Sequence, residues 1–299
     1  MTKRSPEQQL PKQIYQYKGV FTDGARWSDF EHREGDIFVC TPPKCGTTWT
    51  QAICALLVFQ TPDLKINPAE ISPWFDAIFV PLEEIVSMLE AQDHRRIIKT
   101  HTPLDGIPYF DDCSYVAVYR DPRDVYFSMR SHMGNMKIAV PDAIMPEDPV
   151  AGFRNWVAAD YAPGAGEGFS LAGIVHHLNT FRAFEHLPNI ELYHYADLMW
   201  DLPAEMQRMA SNFEIEVAPE LISQLARTAA FDNMKQNAEN FAPGADRDVW
   251  HDTERFFHKG TSGQWRDVIP QEDEVLFQQA LDALLEPEAA RWLLGGDAG

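Results

Sequence analysis

Residues Gly35 to Gln60, GDIFVCTPPKCGTTWTQAICALLVFQ, constrain this chain more than any other stretch. Ile37 to Cys40 is a continuous apolar, β-rich run, the pattern of a strand buried on both faces of a parallel sheet. It cannot extend far past Thr41, because two prolines block further ladder pairing and Gly46 permits a turn conformation closed to other residues. A helix is expected to start near Thr47 and run to Phe59, ending before Thr61-Pro62. Strand, tight loop and helix follow one another. The helix N-terminus exposes unpaired N–H groups and about half a positive charge, to which Lys44, Thr47 and Thr48 add a cation and two hydroxyls. Such a cradle suits an anion, above all a phosphate.

The loop is not the G-x-x-x-x-G-K-[ST] loop of nucleoside triphosphatases. Lys44 precedes Gly46 by two positions, the first glycine is missing, and no Ser or Thr follows the lysine to hold Mg²⁺. Metal-assisted γ-phosphoryl transfer, and with it a P-loop kinase, is disfavoured, and no metal is expected. The string P-P-K-C-G-T-T-W, Pro42 to Trp49, instead resembles the 5′-phosphosulfate loop of the cytosolic-type sulfotransferases, usually met as Y-P-K-[SC]-G-T-T-W. The resemblance implies that Lys44, Cys45, Gly46, Thr47, Thr48 and Trp49 meet the sulfuryl donor 3′-phosphoadenosine-5′-phosphosulfate (PAPS). Trp49 reads either as a core anchor or as one face of an adenine stack.

Five further segments carry the same resemblance in family order. Arg96 to Thr102, RIIKTHT, reads as a second short strand, and groups just past strand ends face the sites of open α/β sheets. A lone histidine is often structural, but K-T-H before P-L resembles the string that holds the catalytic base, which implies that role for His101 and a supporting one for Lys99. Tyr115 to Tyr119 is a third strand, followed by a helix from about Pro122 to His132. Its R-x(7)-S pair, Arg120 and Ser128, resembles the grip on the donor's 3′-phosphate. Ile190 to Tyr195 reads as a fourth strand, with Tyr195 similar to the family tyrosine at the adenine, although Ala196 replaces the usual acid. Ala229 to Lys235 resembles T-x-F-x-x-M-K, placing Phe231 and Met234 near the base and Ala229 where threonine is usual. Phe231 also reads as an ordinary helix-end contact. Finally, FFHKGTSGQW resembles F-x-R-K-G-x-x-G-D-W, which implies phosphate contacts from His258, Lys259 and Gly260, with His258 in place of arginine and Gln264 in place of the acid.

The acceptor side is less defined. Trp74, Phe75 and Phe79 lie among Pro68, Pro73 and Pro81 and are expected on a loop and short helix, lining the acceptor pocket or packing on the body of the domain. Residues 135–168, rich in Pro, Gly and Ala, read as a long loop that caps the acceptor through Phe153 and Trp156. Residues 1–33 read as irregular, covering a sheet edge or pocket mouth. Leu171 to Leu187, Glu205 to Phe213, Glu220 to Ala229 and Glu272 to Leu294 carry helical patterns.

Composition bounds the partners. The 25 Lys and Arg against 45 Asp and Glu give a formal charge of -20, which argues against nucleic acid and anionic membranes and suits a small neutral, phenolic or cationic acceptor; solubility alone also explains it. Four cysteines without CxxC spacing read as reduced thiols. With no signal-peptide pattern, no long apolar run and no linker, a single cytoplasmic domain over residues 1–299 is expected.

The resemblance implies an open, mainly parallel sheet flanked by helices, and in-line sulfuryl transfer to a hydroxyl or amine that yields 3′-phosphoadenosine-5′-phosphate (PAP). His101 would take the acceptor's proton and Lys44 would stabilise the leaving phosphate. Two other readings keep most of these residues: sulfation that drives a second reaction such as dehydration, and a non-catalytic PAP-binding module.

Overall fold

A run that is apolar at every position has no face to show to water, and the strand at Ile37–Cys40 shows none. The structure is a computed structural model and describes residues 9–64, 67–137, 145–166, 168–243, 248–257 and 260–297. Four strands, β1 (Ile37–Cys40), β2 (Ile97–Thr100), β3 (Ser114–Tyr119) and β4 (Ile190–His194), pair in parallel in the order β2-β1-β3-β4. Successive side chains point to opposite faces, so each strand feeds two cores. Phe38, Cys40, Ile98, Tyr115, Ala117 and Tyr119 enter one, and Ile37, Val39, Ile97, Val116, Val118 and Tyr193 the other.

Helices cover both faces, as a parallel sheet requires. In chain order they are α1 (Thr47–Phe59), α2 (Pro68–Ile71), α3 (Leu82–Glu90), α4 (Pro122–Asn135), α5 (Pro149–Ala158), α6 (Leu171–Arg182), α7 (Tyr195–Trp200), α8 (Leu202–Asn212), α9 (Pro219–Ala229), α10 (Phe231–Gln236), α11 (Ala238–Phe241), α12 (Gln271–Leu284) and α13 (Pro287–Gly295). The core with Ile37 and Val39 takes side chains from α1, α8 and α9, and the core with Phe38 and Cys40 from α4, α5, α6 and α12. A buried, bidentate pair between Arg96 and Asp36, with Nε 2.8 Å from Oδ1, fastens the start of β2 to the start of β1. No helix among the described residues is long and apolar enough to cross a membrane.

The 135–168 stretch departs from the sequence reading. Ten of its residues form α5 instead of an acceptor cap, with the Asp148 side chain accepting from Val150 N–H and Pro149 in the first turn. Phe153 and Trp156 are buried on this helix, Phe153 against Tyr126 and Phe277 and Trp156 against Tyr126 and Phe169. They are core residues, and the expectation that they line the acceptor pocket gives way to packing. Phe75 is corrected for the same reason: it is fully buried between Trp27, 4.7 Å away, and Phe30, 4.9 Å away.

Candidate active site

All four strands end at one edge, and each end delivers a residue to it. β1 runs into the loop 41–46, β2 into His101, β3 into Arg120 and β4 into Tyr195, which opens α7 where the sequence suggested a last strand residue. The loop closes on itself by left-handed turns. Lys44 has φ 68° and Gly46 φ 103°, a conformation that costs a non-glycine residue about 1–2 kcal/mol. A Cβ on Gly46 would sit 3.2 Å from the Tyr195 ring, so only glycine lets the loop pass this tyrosine. No side chain caps the N-terminus of α1, which leaves its first-turn N–H groups for an anion.

Around that N-terminus stand three cations. Lys44 Nζ is 3.0 Å from His132 Nδ1, Lys99 Nζ lies 4.4 Å over the Trp74 ring, and Arg120 Cζ lies 4.4 Å over the Tyr195 ring. Arg120 Nη2 donates to the Thr261 carbonyl at 3.0 Å, while its buried Nε has no partner. Among the described residues no carboxylate forms an ion pair with any of the three. Burial, with repulsion from Arg120 and Lys99, lowers Lys44 to about 7. Lys99 is lowered by burial to about 8, opposed by the Asp76 carboxylate. Cations crowded together with no carboxylate in ion-pair contact form a site that an anion completes.

His101 is fixed by an acceptor that cannot donate. Its Nδ1 is 2.6 Å from the Thr41 carbonyl, so Nδ1 carries the proton and Nε2 keeps a lone pair. Burial and then Lys99 hold its pKa well below the ordinary histidine value. A neutral imidazole with a free basic nitrogen results. Beneath it, the buried Asp76 carboxylate accepts from Thr100 Oγ1 at 2.9 Å and Thr102 Oγ1 at 2.6 Å, bracing the chain on both sides of His101.

The other residues singled out in the sequence divide into those that meet this cluster and those that face inward. Trp49 packs edge-on to Tyr195 at 5.2 Å and donates from Nε1 to the Ala229 carbonyl at 2.8 Å. Gly260 (φ 63°) abuts Phe231 so closely that a Cβ would enter the ring. Ser128 lies two turns along α4 from Arg120, and His132, four residues further, shares its face. Met234 is buried in the core. Cys45 is also buried, its N–H donates to the Pro42 carbonyl at 3.2 Å, and burial pushes its thiol up to about 12. Thr47 Oγ1 is hydrogen-bonded to Thr41 Oγ1, leaving Thr48 as the more accessible hydroxyl of the loop. His258 and Lys259 lie outside the described residues.

Several contributors escaped the sequence reading. Asp124 accepts from Gly263 N–H at 2.8 Å and Gln264 N–H at 2.9 Å, and so pins the 260–264 loop beside Arg120. His132 was detectable only as the i+4 neighbour of Ser128. His177, fully enclosed and held neutral by burial at about 3, lines a small crevice together with His101, Tyr161, Thr22 and Thr102. Its Nε2 is buried there without a partner, and the buried Tyr161 hydroxyl lies close to that of Tyr17. Trp74 stands edge-on to His101 at 4.7 Å, and Phe79 packs on Trp74 at 5.5 Å while remaining exposed.

Comparison with known proteins agrees with this geometry. Residues 34–287 match the family described as the sulfotransferase domain. A glycolipid sulfotransferase of Mycobacterium tuberculosis (strain ATCC 25618 / H37Rv) is 37% identical over 95% of this chain and 95% of its own. An amine sulfotransferase of Oryctolagus cuniculus is 27% identical over 84% of this chain and 81% of its own. Among solved structures, a mouse sulfotransferase complexed with PAP superposes with a TM-score of 0.70 at 20% identity, covering 90% of this chain and 92% of that one. Retinol dehydratase in a complex with retinol and PAP gives 0.71 at 22%, covering 89% and 87%. At such identities these structures speak for the fold. The family match across most of the chain, with a relative this similar along its whole length, makes the protein a member of the sulfotransferase domain family and an enzyme of sulfuryl transfer.

Proposed function

We propose that the protein transfers the sulfuryl group of PAPS to a hydroxyl on the sugar headgroup of a glycolipid, by in-line displacement and without a metal. The observation that carries the reading is the set of three cations, Lys44, Lys99 and Arg120, that gather near an uncapped helix N-terminus with no carboxylate in ion-pair contact among the described residues. The orphaned Arg120 Nε fits a phosphate oxygen. In this reading the α1 N-terminus, Lys44 and Thr48 hold the 5′ end, and Arg120, Ser128 and the loop at Gly260 hold the 3′-phosphate. Trp49, Tyr195 and Phe231 border the adenine. Bound there, the donor supplies a sulfuryl group whose bond to the 5′-phosphate oxygen breaks as the acceptor oxygen bonds to sulfur.

His101 Nε2 takes the acceptor's proton as that bond forms; a group in this role typically contributes about 10² to 10⁴ in rate. Lys44 supplies positive charge where the leaving oxygen becomes negative, and Lys99 does so at the transferring group. A sugar headgroup is favoured by the glycolipid specificity of the relatives that align along the whole chain. The unpartnered His177 Nε2 in the His101 crevice supports it as well, because a buried polar atom of this kind wants a hydroxyl partner.

The test is mass spectrometry of products formed from PAPS with a panel of glycolipids, steroids, phenols and amines. A glycolipid product heavier by one SO₃, with release of PAP, supports the proposal. A product lighter than its acceptor by one water would replace it with sulfation-driven dehydration. Sulfation confined to phenols, steroids or amines would remove the glycolipid assignment.

A further inference from the structure

Three of the exposed large apolar side chains lie on two paired segments beside the His101 crevice, whose lining includes Thr22. Val20 is 72% exposed, Ile78 47% and Phe79 63%. The segments that carry them run antiparallel: Thr22 pairs with Ala77, Ile78 N–H donates to the Phe21 carbonyl at 2.9 Å, and Asp23 N–H to the Asp76 carbonyl at 2.9 Å. Val20 sits at the tip of the turn closed by Gly19 N–H on the Thr22 carbonyl, next to the Phe21 that meets Ile78. Arg26 braces the second segment through the carbonyls of Ala77 and Val80. The tips are therefore held in water by an anchored backbone instead of folding onto the core. Apolar clusters held out in this way mark interaction surfaces.

The cluster is continuous with the transfer site. Thr22 itself lines the crevice with His101, and Phe79 leads through Trp74 to the imidazole by ring contacts of 5.5 and 4.7 Å. The charged groups beside it are mostly acidic or engaged: Glu83 and Glu84 open α3 just beyond Phe79, Arg26 donates to backbone carbonyls, and the Lys18 ammonium is 3.6 Å from the Asp23 carboxylate. With a net charge of -20, attraction to an anionic surface has no basis here.

We infer that Val20, Ile78 and Phe79 form a docking surface for the hydrocarbon of a lipid acceptor, so that the enzyme takes its headgroup from an uncharged lipid surface. The inference rests on the glycolipid reading for the identity of the occupant. The rim covers the acyl region, and the acceptor hydroxyl of the headgroup meets His101 beside it.

Flotation with phosphatidylcholine vesicles tests the surface without depending on turnover. The wild-type protein is compared with Val20→Asp/Ile78→Asp and the milder Val20→Ser/Ile78→Ser, each checked for an unchanged melting temperature. Trp200→Ser, which alters the most exposed aromatic (82%) outside this rim, is the control for general stickiness. The expected result is wild-type partitioning, a loss of about tenfold or more in the aspartate variant and less in the serine variant, no loss in Trp200→Ser, and no gain when phosphatidylglycerol is added. Rim-dependent binding supports the surface even if no glycolipid is sulfated, an outcome that would count only against the acceptor reading. Absence of wild-type binding, or binding indifferent to Val20 and Ile78, overturns the inference. So does a dimer that the aspartate variant dissociates without any vesicle binding, because the rim would then cover a second copy of the chain.

Discussion

Lys44, His101 and Arg120 are carried by the loops that leave three adjacent, hydrogen-bonded strands, and Lys99 lies on one of those strands. Thr22, Trp74 and Phe79 hang on segments joined to the rest by isolated bridges and single backbone bonds. The donor half of the site thus inherits its geometry from the sheet, while the acceptor half depends on contacts between distant parts of the chain. Rigid strand ends suit a ligand whose charges are fixed, and loop-borne aromatics suit one whose shape varies. The contrast also sets where substitutions act: on the donor side they remove charge from a built site, and on the acceptor side they change a surface or a core.

The largest effect should come from the residue at the junction. His101→Ala is expected to lower kcat by about 10² to 10⁴ while PAP affinity stays within a few fold, since the imidazole touches the acceptor's proton and not the donor. Lys44→Ala should lose both donor affinity and rate. Steady-state kinetics beside calorimetric PAP titration separate the two patterns, and a folded His101→Ala enzyme keeping more than about a tenth of wild-type turnover would exclude the base assignment.

The acceptor-side aromatics divide next. Phe153→Ala opens a cavity in the core and should destabilise the fold by about 3–5 kcal/mol, whereas Phe79→Ala, on the exposed rim, should change stability by no more than about 0.5 kcal/mol. Denaturant unfolding of the two variants reads this directly. Equal losses would return Phe153 and Phe79 to a single class.

A smaller effect tests the crowded cations. Burial lowers Lys44 to about 7 and Lys99 to about 8 in the free protein, and a bound phosphate raises both. Each lysine is charged in the free protein below its own value, so the lysines' contribution to PAP affinity should level off under about pH 7, where the phosphates' own second ionisation takes over. Above pH 7 to 8 it should fall, by up to about tenfold per pH unit for each lysine, with protons taken up on binding. Titrations in two buffers of different ionisation enthalpy at pH 8 measure that uptake. No uptake would mean that the ammonium groups are already fully charged without the ligand.

How much of this was legible in the sequence follows the same division. Ile37 to Cys40 announced a doubly buried strand because every position is apolar, and the loop beyond it was readable because its prolines, glycine and hydroxyls act locally. Arg120 and Ser128 were likewise within one strand and helix. The pin from Asp124 to Gly263 and Gln264 spans about 140 residues, and no local pattern encodes it. The brace from Asp76 to Thr100 and Thr102 is of the same kind. α5 is a different lesson. Asp148 followed by Pro149 is an N-cap and first-turn proline, a helix start hidden by counting proline only as a breaker. Once α5 forms, Phe153 and Trp156 must face the core.

The central claim is that unpaired cations at the strand ends are built for a nucleotide with phosphate at both 3′ and 5′ positions. Calorimetric titration of PAP and of adenosine 5′-phosphate into the same protein, repeated with Arg120→Ala, tests it most directly. Two charge-assisted hydrogen bonds at about 1.5–3 kcal/mol each predict PAP tighter by about a hundredfold or more, with most of that preference gone in Arg120→Ala. Equal affinities for the two nucleotides in the wild-type protein, or a preference that survives in Arg120→Ala, would contradict it.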